Sequence, residues 1–252
     1  MTPEELIQLR RNKWRLNGNP VRTLDDARDF IESVGFCLMY PLKPAVLLPT
    51  FVGAWMGSDK DLHVARQAFA DESAHEASAL INRLLREHLL FESNLFPESN
   101  LLLSPSVFPY FYALAGERTP GREQSGGEVL SQSGRLAWAI FQKEGPLSRE
   151  RIQQALGSDL SLSGVDRALG ELWMRLRIMR VSHAEGKGEL WESLQRWAPD
   201  AVHQGSRVSV PAALSALVSK YLECVIAAEL SEIEDFFSQL VLSAYPKEVA
   251  LP

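Results

Sequence analysis

The segment VDRALGELWMRLRIM places Val165, Leu169, Leu172 and Leu176 at i, i+4, i+7 and i+11, which lays one apolar face along a helix. Upstream, SGRLAWAIFQKEG repeats the device with Leu136, Ile140 and Phe141, with Ser133 as capping residue and Gly145 as the stop. Between them GPLSRERIQQALG reads as a short helix opened by Ser148, with Ile152, Ala155 and Leu156 inward and Glu150 and Arg151 outward. GSDLSLSG then turns the chain, and Ser163 is placed to cap the third helix. From Met179 the period drops, and MRVS and ELWESL read as two short strands joined by the glycine-containing HAEGKG. Three helices and a hairpin predict a winged-helix module.

The pattern has two looser echoes. TLDDARDFIESVG (23–35) and ELSEIEDFFSQ (229–239) each follow a helical stretch, EELIQLRRNKW and PAALSALVSKYLECVI respectively. A further stretch, ARQAFADESAHEASALINRLLREHLLFES, is strongly helical, and GERTPGREQSGGE (116–128) clusters the Gly, Pro, Ser and charge of a linker. The expected fold is mainly α with small β-hairpin wings, built from tandem winged-helix (helix-turn-helix) modules. Its divisions would be a first module with a helical extension (1–115), a linker (116–131), a central module (132–205) and a partial third unit (206–252).

Composition narrows the function. The 252 residues are 46% apolar and 23% charged, as in ordinary globular proteins, and the formal net charge is −6. That balance argues against non-specific nucleic-acid binding by the whole chain, but leaves room for one locally basic face. Cys37 and Cys224 lie far apart without partners at metal-ligand spacing, so a reducing, cytoplasmic location is expected. MTPEELIQLRRNKWR has no apolar core segment and reads as no signal peptide. The most apolar stretch, FCLMYPLKPAVLLPTFVGAWMG, is broken by Lys43 and by Pro41, Pro44 and Pro49, so no membrane partner is expected.

The run VGFCLMYPLKP after a helix, then LLREHLLFE, FPYFYAL and a hairpin ending in GELWESLQRWAP, resembles the AlkZ/YcaQ-related winged-helix proteins. The resemblance implies tandem winged helices that bind DNA, in a family whose glycosylases remove alkylated bases or unhook crosslinks. Active members carry a Gln-x-Gln or Gln-x-Asp motif that positions and activates the attacking water. This sequence has Leu38 and Tyr40 at the two matching positions. Leucine cannot hold a water, and a phenol titrating near its usual pKa of about 10 is a poor base at neutral pH. The implied reading is DNA binding without base excision by that route.

Three surfaces are candidates for nucleic acid. Ser161, Ser163, Arg167 and Arg175 lie on or beside the outward face of the third helix, although Glu171 shares that face and a solvated mixed-charge surface would look alike. His183 and Lys187 mark the wing, where an ordinary exposed turn has the same composition. Arg10, Arg11, Lys13 and Arg15 surround Trp14, with Arg22 behind, and suit either backbone contact or ion pairs with Glu4 and Glu5. Trp138, Phe141, Trp173, Trp191 and Trp197 are most simply module core, or for one of them an inter-module contact.

No metal or cofactor is expected. His75-Glu76 lacks the second histidine of HExxH because position 79 is Ala79, and Asp71, Glu72, His75 and His88 read as surface helix residues. Double-stranded DNA is the expected partner. The rival is a protein-interaction scaffold using the acidic ECVIAAELSEIEDFF for a partner or homodimer, and a further alternative is a glycosylase built on other residues, such as Tyr40 with Glu92.

Overall fold

A computed structural model describes residues 1–43, 45–60, 62, 72–94, 96, 99–116, 130–157, 161–184 and 188–244. Most of the expected linker, and the expected site residue Lys187, lie outside the described residues. The chain is mainly helical, with two three-stranded antiparallel sheets.

Helix α1 (Pro3–Lys13) opens with a capping box in which Thr2 and Glu5 exchange hydrogen bonds, and it buries no residue. Helix α2 (Leu24–Val34) repeats the box with Thr23 and Asp26, then buries Ala27, Phe30, Ile31 and Val34. It stops at Gly35, whose φ of 77° suits glycine. Strands β1 (Phe36–Leu38), β2 (Phe91–Ser93) and β3 (Leu101–Leu103) pair in the order β1-β3-β2, and every residue in them is buried. The LLFES stretch expected to be helical therefore divides, with α4 (Glu72–Arg86) ending before β2.

Helices α5 (Phe108–Ala115), α11 (Val210–Val225) and α12 (Leu230–Ala244) close over this sheet. Phe36 stacks on Phe236 at 5.7 Å and on Tyr221 at 6.5 Å, and meets Phe111 edge-on at 5.5 Å. The C-terminal helices thus share a core with the N-terminal sheet.

The central segment builds a second core. Helices α6 (Gln132–Phe141), α7 (Arg149–Leu156) and α8 (Leu162–Met174) precede β5 (Ile178–Ala184) and β6 (Gly188–Ser193). A short β4 (Leu147–Ser148) pairs with β6, giving the order β4-β6-β5. All four residues of the predicted α8 stripe are buried, but α8 ends at Met174 and Leu176 follows it with a φ of 51°.

The α6 stripe is different from expectation. Leu136 is 49% exposed, while Gly134, Ala137 and Phe141 face inward, because α6 lies close against α8 and small residues admit that approach. Ala155 is exposed as well, leaving Ile152 as the buried anchor of α7. The caps also shift, with Ser131 and Ser161 accepting the first-turn amides instead of Ser133 and Ser163. Gly145 does not end α6, which stops at Phe141.

Of the aromatic set, Phe141, Trp173 and Trp191 lie in the second core and Trp138 packs at its edge. Trp197, in the short helix α9 (Leu194–Trp197), instead packs at the edge of the first core, where it stacks on the exposed His88 at 4.5 Å. Trp173 spans both by donating its indole N–H to the Glu92 carbonyl at 3.0 Å.

Candidate nucleic-acid interface

The outward side of α8 begins at its cap. The Ser161 hydroxyl accepts the Gly164 amide at 3.3 Å and lies 2.9 Å from the Ser163 hydroxyl. One turn on, Arg167 is exposed, and among the described residues its one hydrogen bond is a long one from Nε to the Ser163 carbonyl at 3.4 Å. Arg175 is half-buried at the C-cap.

The two acids of this helix are both engaged. Asp166 is paired with Arg149 of α7. Glu171 turns to the start of α6, where its carboxylate accepts the Ser131 amide at 2.9 Å and the Ser131 hydroxyl at 2.6 Å. The carboxylate that made the face unpromising for DNA is a tie between helices.

The N-terminal cluster is built differently. Arg10 donates Nε to the Val225 carbonyl at 2.8 Å and Nη2 to the Ala227 carbonyl at 2.5 Å. Between those carbonyls Ile226 holds a φ of 71°, a conformation a β-branched residue rarely adopts, so Arg10 satisfies the end of α11 at a strained residue. Arg11 grips both oxygens of Asp59 at 2.9 Å, and Arg15 stands 3.8 Å from Asp26. Trp14 donates its indole N–H to the Cys224 carbonyl at 3.0 Å, and the Lys13 charge acts on Glu223 and Cys224 nearby. Arg22 is exposed and lies over the Trp55 ring at 5.1 Å. These contacts share no residue with those of α8.

The motif positions close one edge of the first sheet. Leu38 is 1% exposed, and its amide donates to the Pro49 carbonyl at 3.0 Å. Tyr40 is half-buried and is clasped by Ser99, whose hydroxyl accepts the Tyr40 amide at 2.9 Å and donates to its carbonyl at 2.7 Å.

Beside this lies a network with no local signature in the sequence. Glu92, 1% exposed, receives Nε of Arg180 at 2.5 Å, Nη2 at 2.9 Å and the Asn100 side-chain amide at 2.5 Å. Arg180 also reaches Asn82 at 3.3 Å. Burial works against its charge, and the Glu92, Glu189 and Tyr40 groups outweigh burial, so the guanidinium stays charged. Residues 88 apart in sequence thereby join β2 to β5.

In the backbone register of β5 and β6, His183 stands opposite Glu189. Among the described residues, no three His, Cys, Asp or Glu side chains are grouped as metal ligands would be. Asp71 lies outside the described residues. Cys37 and Cys224 are both buried and free, and burial pushes both thiols up, that of Cys224 to about 12. Among the described residues no single helix is long and apolar enough to cross a membrane.

A helical chain with two small sheets and a cation-bearing helix beside a hairpin defines a class only broadly. The family model for DNA glycosylase AlkZ-like proteins matches residues 73–244, and the chain belongs to that family. No curated protein and no solved structure matches it. The matched segment holds Glu92, Arg180 and all of α8, and begins after the positions of Leu38 and Tyr40.

Proposed function

We propose that this chain is a duplex-DNA-binding member of the AlkZ-like family that does not excise bases by the family's glutamine-based route. The observation that carries the reading is α8, on which Arg167 is exposed while the carboxylates beside it, Asp166 and Glu171, are engaged inside the chain. That leaves a cation and two N-terminal hydroxyls, Ser161 and Ser163, facing outward, a combination suited to phosphate. We read α6, α7, α8 and the β5–β6 hairpin as a winged helix, supported by β4 pairing with β6 as the third strand. The first sheet, following α2, supports a similar reading for the N-terminal unit, whereas the third unit rests on α11 and α12 alone. Phosphate contact by the α1 arginines takes second place, because Arg10 and Arg11 already have partners. Buried, unpaired cysteines fit a reducing cytoplasm.

Excision is argued against on chemical grounds. Leu38 offers no polar atom where a water must be held. Both oxygens of buried Glu92 are engaged by Arg180 and Asn100, an arrangement suited to holding a guanidinium rather than to serving Tyr40 as a base. The test is a mobility-shift titration with plain and alkylated duplexes at two salt concentrations, with released base assayed in parallel. Binding at low salt, weaker at high salt, is expected without base release. Arg167→Ala should lower affinity for all sequences and reduce the salt slope by about 1. No binding at low salt overturns the reading, and released base overturns its non-catalytic half.

A further inference from the structure

Helix α8 carries a glycine that its own fold does not explain. Glycine inside a helix is destabilising relative to alanine, so each such position calls for a reason. Gly134 in α6 has one, since a Cβ there would meet the Glu171 carboxylate at 2.5 Å. Gly205 has one where α10 (Pro199–Arg207) presses on α5, with the Pro109 carbonyl and the Tyr112 Cβ both at 2.8 Å. Gly53, in α3 (Phe51–Met56), has the Thr50 hydroxyl at 2.7 Å. Gly170 has no described atom within 4 Å of where its Cβ would stand, and its φ is not in the left-handed region. Alanine would fit there and favour the helix.

The position of Gly170 gives the missing reason. The buried stripe of α8 is Val165, Leu169 and Leu172; stepping back two residues, roughly 200° around the helix, gives Ser163, Arg167 and Gly170, and Met174 lies four residues further along the same face. This opposite stripe holds a hydroxyl and a cation, then an opening with no side chain. The segment around it, 130–198, has ten Lys and Arg against eight Asp and Glu, a positive balance within a chain of net charge −6. A partner drawn to it is a polyanion.

We propose that the Ser163–Arg167–Gly170–Met174 stripe meets duplex DNA and that Gly170 is the point of closest approach, left bare so that the sugar–phosphate backbone can lie against the helix. This rests on the DNA-binding reading above and adds to it the register of the contact. Ser163 and Arg167 hold phosphate on the N-terminal side, and Met174 covers apolar sugar surface beyond the glycine.

The test pairs thermal unfolding with duplex binding for Gly170→Ala and Gly170→Gln in the full chain. Alanine should raise the melting temperature by about 2–4 °C while lowering duplex affinity about tenfold, and the bulkier glutamine should lower it further. Opposite signs for stability and binding are the signature, since a merely misfolded variant loses both. Equal affinity of Gly170→Ala and the parent overturns the proposal while leaving DNA binding standing, provided Arg167→Ala still weakens it. A lower melting temperature for Gly170→Ala overturns it too, because the glycine would then serve the fold. A parent that fails to bind duplex but self-associates, with Gly170→Ala abolishing the association, assigns the stripe to a second copy and overturns both readings.

Discussion

Helices α1 and α8 both carry arginine, and they use it in opposite ways. In the sequence α1 looks the richer nucleic-acid surface, with Arg10, Arg11, Lys13 and Arg15 gathered around Trp14. In the folded chain Arg10 and Trp14 reach the end of α11, and Arg11 closes on Asp59. Helix α8 carries one outward arginine beside two acids, and both acids are engaged elsewhere. Charge density along a chain records how many cations are present, whereas the available charge depends on which carboxylates and carbonyls fold against them.

The largest expected effect comes from stranding Arg180, whose side chain is 13% exposed. Glu92→Ala would leave the largely buried Arg180 guanidinium without its close counter-charge, with Glu189 standing 3.9 Å away, and a loss of about 3 kcal/mol is expected in urea unfolding. The double variant Glu92→Met/Arg180→Met should recover most of it, because neither charge is then stranded. If Glu92→Ala loses less than about 1 kcal/mol, the pair does not hold β5 to β2, and Arg180 would need regrouping with the outward arginines.

A smaller effect separates α1 from α8 directly. Arg10→Ala removes two charge-assisted hydrogen bonds at the strained end of α11, and about 1–2 kcal/mol of stability should go with them, discounted for partial exposure. Adding Ile226→Gly should return part of that loss, since glycine accepts the positive φ without help. Duplex affinity per folded molecule should not change. A drop in affinity comparable with that of Arg167→Ala would erase the distinction between the two helices.

What was legible follows from the range of the interactions. The α8 stripe and the β5–β6 hairpin were readable because each is set by residues within a few turns of one another. The helix starts slipped by two positions for a local reason. In both Ser131-Gln-Ser133 and Ser161-Leu-Ser163 two hydroxyls lie within 3.1 Å, so either serine suited the cap and the earlier one took it. The first sheet is not legible locally because its three short strands are held by pairing across 67 positions, from Phe36 to Leu103 and back to Phe91. At three residues each, two of them uniformly apolar and β2 carrying Glu92 and Ser93, they are too short to show an alternation. The Glu92–Arg180 pair and the Glu171–Ser131 tie were equally hidden, and these are what decide which charges remain outside.

Arg15 lies between the two classes, and a proton titration can place it. It stands 3.8 Å from Asp26, whose carboxyl is held below the usual range first by the Thr23 hydroxyl, then by the Thr23 and Arg22 amides, and least by the Arg15 charge. A depressed folded-state pKa contributes stability above the unfolded value of about 3.9, and that contribution is lost as pH falls through the lower folded value. The start of α2 should therefore weaken only in acid. Thr23→Ala should move the Asp26 carboxyl, followed by NMR, back toward its ordinary pKa, and Arg15→Ala should move it much less. A shift from Arg15→Ala as large as that from Thr23→Ala would mark a committed ion pair and place Arg15 with Arg10 and Arg11. The smaller shift expected leaves the charge of Arg15 mostly unspent on the fold, which makes it a residue of the N-terminal group to test after Arg167 for a phosphate contact.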